Sequence, residues 1–200
     1  MIKSMTLFAA FSCISWGVSA SCDTSSLSPI VATTPTENFI IDTSAEVVTD
    51  KTTGLMWKMC MEGMSGSDCR TGSGTQATYL AALQSVATLN SGAGFAGFTD
   101  WRLPNLKELR TIVEEKCSRP ALNQEVFPPE KDINNPNGSA SQNIISDAIL
   151  FTSTPTSYFD LQDIDVWVVD FSDGSFKKKT VGGESGSDEL AYYRLVRDAR

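Results

Sequence analysis

The side chains in this sequence that could do chemistry form few clusters, and their spacing limits what they can do. Asp160, Asp163 and Asp165, with Asp170 beyond them, form a dense acidic group, and oxygen-rich clusters suit hard cations such as calcium. Their spacing lacks the alternating ligands and central Gly of an EF-hand loop. The expectation is therefore a solvated acidic loop, with Asp160, Asp163 and Asp165 as the candidate ligands should calcium bind. Lys177-Lys178-Lys179 is the one basic run. On a strand its side chains alternate, so at most two, Lys177 and Lys179, share a face. They could meet a sulfated glycan or an acidic lipid, but such a run also guards an edge strand against pairing, and that is the expectation.

The chain has no His, which removes His-activated nucleophiles, mixed His zinc sites and imidazole acid–base work together. No nucleophile is accompanied by a plausible base, so no catalytic residue is assigned. Paired carboxylates for glycoside hydrolysis depend on a separation that only the fold sets. An uncharacterised hydrolase is thus the alternative to a non-enzymatic binding protein, which the absent His favours.

Cysteine is the remaining reactive type, with 5 in the chain. Met1 to Ala20 carries Lys3, then an apolar stretch running from Met5 to Trp16, and ends in Val18-Ser19-Ala20. This reads as a secretory signal peptide cleaved after Ala20. A lipoprotein signal lipidating Cys22 would want an apolar residue at Ser19. Cleavage removes Cys13 and leaves Cys22, Cys60, Cys69 and Cys117 in an oxidising compartment. Three pairings are open in principle. Cys60 and Cys69 flank a short Gly/Ser-rich loop that can close on itself, so they are expected to pair, leaving Cys22 with Cys117. The loop-entropy model gives about 2.7 kcal/mol for the short bridge and about 4.7 for the long one. A four-Cys zinc site would want paired C-x-x-C spacing, which is missing.

The elements that must position these residues can be read from periodicity and turn chemistry. The 200 residues suit one domain, and 41% hydrophobic with 20% charged residues excludes a wholly disordered chain. Residues 21–38, rich in Ser, Thr and Pro, read as a tether, and 39–200 as the domain. Strands are expected at 39–41, 46–49 and 55–59, with a turn at 50–54. Gln76 to Asn90 places Tyr79, Leu80, Leu83, Val86 and Ala87 at helical spacing. Asn105 and Glu108 form a capping box that opens a second helix ending near Cys117. Residues 118–149 read as a long irregular loop. Strands follow at 150–153 and 166–171, a tight Asp173-Gly174 turn leads into 175–181, and a last strand covers 191–197. The fold class is α+β, two helices packed on a mostly antiparallel sheet.

Several separated motifs in order make the sequence resemble the Lcl C-terminal domain family. They are Thr53-Gly54-Leu55-Met56-Trp57, the Cys60 to Cys69 spacing, Asp100-Trp101-Arg102-Leu103-Pro104-Asn105 with Glu108-Leu109, and Cys117 with Pro120, Asn123 and Phe127-Pro128. The strand from Trp167 to Phe171 before Asp173-Gly174, and the closing Arg194-Leu195-Val196-Arg197, complete them. The resemblance spans residues 39–200 and implies a C-type lectin-like fold, related also to formylglycine-generating enzymes. Fold does not confer chemistry. The lectin calcium motifs are missing, Asn135-Pro136-Asn137 being a partial echo without the acid, and nothing after Cys117 supplies the reactive Cys pair of the oxidases. No cofactor is expected, calcium being the one alternative. Trp57, Trp101, Arg102, Pro104, Asn105 and Arg194 are expected to specify the fold: Trp101 and Leu103 enter the core, Pro104 sets the turn, Asn105 caps, and Asp100 or Arg102 satisfies buried backbone or each other. Trp57 and Trp167 are expected in the core.

Charge narrows the partner. With 24 acidic against 16 basic residues the net charge is -8, and loss of Lys3 makes the mature charge one unit more negative. Nucleic acid is a poor partner for such a chain, and polyanions are repelled, although the family includes adhesin domains that bind sulfated polysaccharide. No segment suits a transmembrane helix beyond the signal. The expectation is an exported recognition or adhesion module, periplasmic, cell-surface or secreted. It would bind a neutral glycan or a protein through the 118–149 loop and the strands beside it, with Asn134, Asn135, Asn137, Lys177 and Lys179 as candidate contacts. The alternative is a periplasmic inhibitor or accessory subunit binding one protein partner. Peptide mapping of the unreduced mature protein should recover Cys60 linked to Cys69 and Cys22 linked to Cys117; four free thiols would refute the framework.

Overall fold

The structure is a computed structural model that describes Cys22 and residues 30–128, 148–156, 163–183 and 189–200. The signal segment lies outside the described residues. Among those described, β1 (Phe39–Asp42), β2 (Val47–Asp50) and β3 (Leu55–Lys58) form an antiparallel meander. The hairpin β4 (Met64–Ser65) and β5 (Thr71–Gly72) follows, β4 inside the loop that Cys60–Cys69 closes and β5 just beyond it. Then come α1 (Tyr79–Ser91), α2 (Leu106–Arg110), β6 (Ile149–Pro155), β7 (Asp163–Asp170), β8 (Ser175–Gly183) and β9 (Val196–Asp198). Two antiparallel sheets result, ordered β1-β2-β3-β9 and β6-β7-β8. The architecture is α+β, as the pattern of elements predicts.

The turn preceding α2 works as the sequence implies. Trp101 and Leu103 are buried, and Pro104 is buried with its carbonyl accepting from Ser153 N at 2.7 Å. Asn105 Oδ1 accepts from Glu108 N at 2.9 Å while Glu108 Oε2 accepts from Asn105 N at 2.8 Å, a reciprocal capping box. Asp100 and Arg102 do not satisfy each other, however. Arg102 grips Glu108 through both guanidinium nitrogens, at 2.7 and 2.8 Å, and Asp100 pairs with Arg197 Nε at 2.7 Å. Backbone bonds between Arg102 and Val196 explain why: the turn is stitched to β9, which brings Arg197 to Asp100.

Three elements differ from their sequence reading. The second helix stops at Arg110 because Val113 bridges Leu122 and Glu114 N donates to Ala121 O, so the chain leaves the helix to pair with the loop stem. The first helix buries Ala82 and Val86, with Tyr79 and Leu89 packed against the core, whereas Leu80, Leu83 and Ala87 are exposed. Its Thr78 cap and the Ala77–Ala191 backbone pair fix the helix so that Tyr79 meets the Phe151 ring edge-on at 5.4 Å. The last strand is only three residues long, because Ala191 bonds Ala77, Tyr192 bonds β6, and Tyr193 and Leu195 bond Glu62 and Lys58. That segment is the seam between the two sheets.

Two apolar clusters fill the interior. One gathers Trp57, Met59, Leu109, Ile112, Val126 and Phe127, and the other packs Trp101, Leu103, Phe151, Val166, Val168 and Leu195 under α1. Arg194 is buried against the first, its Nη1 donating to the carbonyls of Lys58 and Met59 and its guanidinium lying 5.0 Å from the Phe127 ring centre. Replacing Asn105 with Ala removes one arm of the capping box, and denaturant unfolding should show a loss of about 1 kcal/mol.

Candidate functional site

The stem of the long loop, residues 113–128, is where the N-terminal segment, α2 and the β7–β8 hairpin converge. Residues 33–38, tether by composition, are hydrogen-bonded onto this stem. Glu114 is the centre of the contact. Its Oε1 accepts from the backbone N of Thr33 at 3.0 Å and of Lys116 at 2.9 Å, and its Oε2 accepts from Thr34 N and Thr34 Oγ1, both at 2.8 Å. Asn123 Nδ2 donates to Thr34 O at 2.7 Å, and Thr36 Oγ1 donates to Glu125 Oε2 at 2.8 Å. The Cys22–Cys117 disulfide adds a covalent tie between the same two segments. Burial alone would raise the Glu114 carboxyl pKa, but the donors from Lys116, Thr34 and Thr33 outweigh it and hold the group below the ordinary range.

Clefts lie on both sides of this N-terminal arm. One, of about 520 Å³, is lined by Cys22, Thr36 and Glu37 on the arm side and by Lys116, Gln124 and Glu125 on the stem. The other, of about 270 Å³, lies between Asn38, the turn between β2 and β3, and the end of α2.

The stem also holds the β7–β8 turn. Arg119 N donates to Ser172 O at 3.0 Å, and Ala121 N to Phe171 O at 2.6 Å. Gly174 has φ +77°, and a Cβ there would come 2.7 Å from Val113 Cγ1, so Gly lets the turn close onto the stem. Just past this turn, Phe176 is exposed; its ring meets Trp167 edge-on at 5.7 Å, and the Arg110 guanidinium lies 5.2 Å from its centre. Trp167 therefore departs from its expected place in the core. It is half-buried and belongs to neither apolar cluster: Val166 and Val168 on the opposite face of β7 enter the second cluster, and on its own face it is Val169, two residues on, that reaches the first. Trp57, by contrast, is fully buried.

The other sequence candidates are scattered. Lys177 Nζ pairs with Asp170 Oδ2 at 2.7 Å and Lys179 Nζ with Glu189 Oε2 at 2.7 Å, so the two lysines on one face are each matched by a carboxylate. Asp165 Oδ1 accepts from Thr180 Oγ1 at 2.9 Å. Asp163 lies in β7, opposite Gly183, and Asp160 lies outside the described residues, as do Asn134, Asn135 and Asn137. Among the described residues no group of three or more His, Cys, Asp or Glu side chains gathers to hold a metal. The Arg110–Phe176–Trp167 row was not legible as a site: Arg110 reads as the polar face of a helix and Phe176 as one residue of an alternating strand.

These features define a disulfide-framed α+β domain whose charged, aromatic and cleft-lining surface is collected around one loop stem. The family model of the Lcl C-terminal domain matches residues 46–197, and the chain belongs to that family. No curated protein and no solved structure matches it. No helix among the described residues is long and apolar enough to cross a membrane.

Since the Glu114 pKa is depressed in the fold, its contribution is present above its unfolded value of about 4.3 and lost as the pH falls through the lower folded value. Glu114→Gln should cost about 1.5–3 kcal/mol at neutral pH, the range for hydrogen bonds to a charged group. The acid limb of the stability–pH curve should become shallower, and hydrogen exchange at Thr33 and Thr34 should quicken.

Proposed function

We propose that this protein is an exported recognition module of C-type lectin-like architecture that binds a glycan without catalysing a reaction and without a cofactor. Its ligand surface is the 118–149 loop with the strands beside it. The observation that carries this reading is the exposed Phe176, its ring edge-on to the half-buried Trp167 and the Arg110 guanidinium over its face. Aromatic faces offer apolar area to the C–H side of a sugar, and a guanidinium offers directed donors to its hydroxyls. Two disulfides and the Glu114 clamp support it further, since they suit a small domain working outside the cytoplasm on a braced scaffold.

The net charge of -8 and the matching of Lys177 and Lys179 by carboxylates favour a neutral glycan over a sulfated one. A second reading, an inhibitor or accessory subunit with one protein partner, draws on Leu80 and Leu83, 60% and 40% exposed on α1.

A glycan and matrix-protein array read at two salt concentrations tests the proposal. Binding to neutral glycans should persist at the higher salt and fall about tenfold with Trp167→Ala or Phe176→Ala, equivalent to about 1.4 kcal/mol. No binding above background would refute it, and a single stoichiometric protein partner lost on L80S/L83S would favour the second reading.

A further inference from the structure

The cleft of about 270 Å³ beside the arm divides by chemistry. Phe39 and Val113 give it an apolar wall, and Asn38, Asp50, Arg110 and Glu115 give it polar ones. Asp50 is already engaged, accepting from Thr52 N at 2.8 Å and Thr53 Oγ1 at 2.7 Å. The Asn38 amide and the Glu115 carboxylate have no hydrogen-bonding partner among the described residues, and the Arg110 guanidinium has only the face of Phe176. An amide, a guanidinium and a carboxylate with open valences beside an apolar strip match a sugar ring, which presents hydroxyls around its edge and C–H groups on its faces. The volume lies just below the range of about 300–1,000 Å³ that holds larger ligands, so one ring fits rather than two. Glu115 offsets the charge of Arg110, which selects a neutral ring over an anionic one.

Resting on the glycan reading above, we infer that this cleft is a neutral monosaccharide subsite in which Asn38 and Arg110 bind ring hydroxyls. Arg110 also touches Phe176, so the cleft and the aromatic pair are adjoining parts of one surface. The next residue of an oligosaccharide leaves the cleft past Arg110 and packs on Phe176 and Trp167. Neither the acidic group at 160–165 nor the Lys run takes part.

Titration calorimetry of the full mature chain with methyl hexosides and with the di- and trisaccharides containing them tests this. Asn38→Ala and Arg110→Gln should each weaken monosaccharide binding about tenfold, with an unchanged thermal midpoint. Phe176→Ala should weaken the longer saccharides more than the monosaccharide. Wild-type binding that neither Asn38→Ala nor Arg110→Gln weakens would overturn the subsite while leaving the glycan reading standing. Absence of all saccharide binding by the wild type would overturn both.

Discussion

The bidentate pairing of Arg102 with Glu108 lies at the point where the chain passes from one sheet to the other. Glu108 is at once the ion-pair partner of Arg102 and the reciprocal member of the Asn105 capping box, so one carboxylate fixes both the entry of α2 and its angle to β9. Arg102 in turn exchanges backbone bonds with Val196, and Asn90 brackets Trp101, donating to its carbonyl at 2.7 Å and accepting from its N–H at 3.1 Å. The turn from Trp101 to Asn105 thereby connects α1, α2 and β9, and Pro104 O, accepting from Ser153 N, ties it to β6. If this turn shifted, Arg110 at the far end of the short α2 would shift with it, and the row with Phe176 would be lost.

A second constraint acts on the outside. Residues 33–36 offer the core few large apolar side chains, and they are held instead by polar contacts. Glu114 is buried and carries a charge, which is tolerable because donors surround both of its oxygens. The disulfide from Cys22 reinforces the same contact. The result is a stem held to the N-terminal arm by a disulfide and by a fully engaged carboxylate.

Local chemistry was legible where the controlling interaction spans only a few residues. Asn105 and Glu108 are three apart, Cys60 and Cys69 nine apart, and Asp173-Gly174 sits inside one hairpin, so spacing alone identifies each. The α1 face was misread for the opposite reason. Leu80 and Leu83 are apolar at helical spacing, but the rotation of the helix is set by Ala77 meeting Ala191, more than a hundred positions away. Trp167 lies outside the core because a strand's alternation assigns each residue a face without saying how far along that face the core extends: Val169 on the same face is buried and Trp167 is not.

By itself the sequence determined an α+β domain of the Lcl C-terminal family, its short Cys60–Cys69 bridge and its principal turn, since these follow from short-range geometry and from motifs in order, and the even cysteine count then left Cys22 with Cys117. Tertiary structure alone decided that Glu114 holds Thr33 and Thr34, that Lys177 and Lys179 face carboxylates, and that Arg110 joins Phe176 beside a cleft. A charge or an aromatic ring has the same local signature whether it is buried, paired or offered to a ligand. Only the chain's long-range pairing brings the partner that distinguishes these fates.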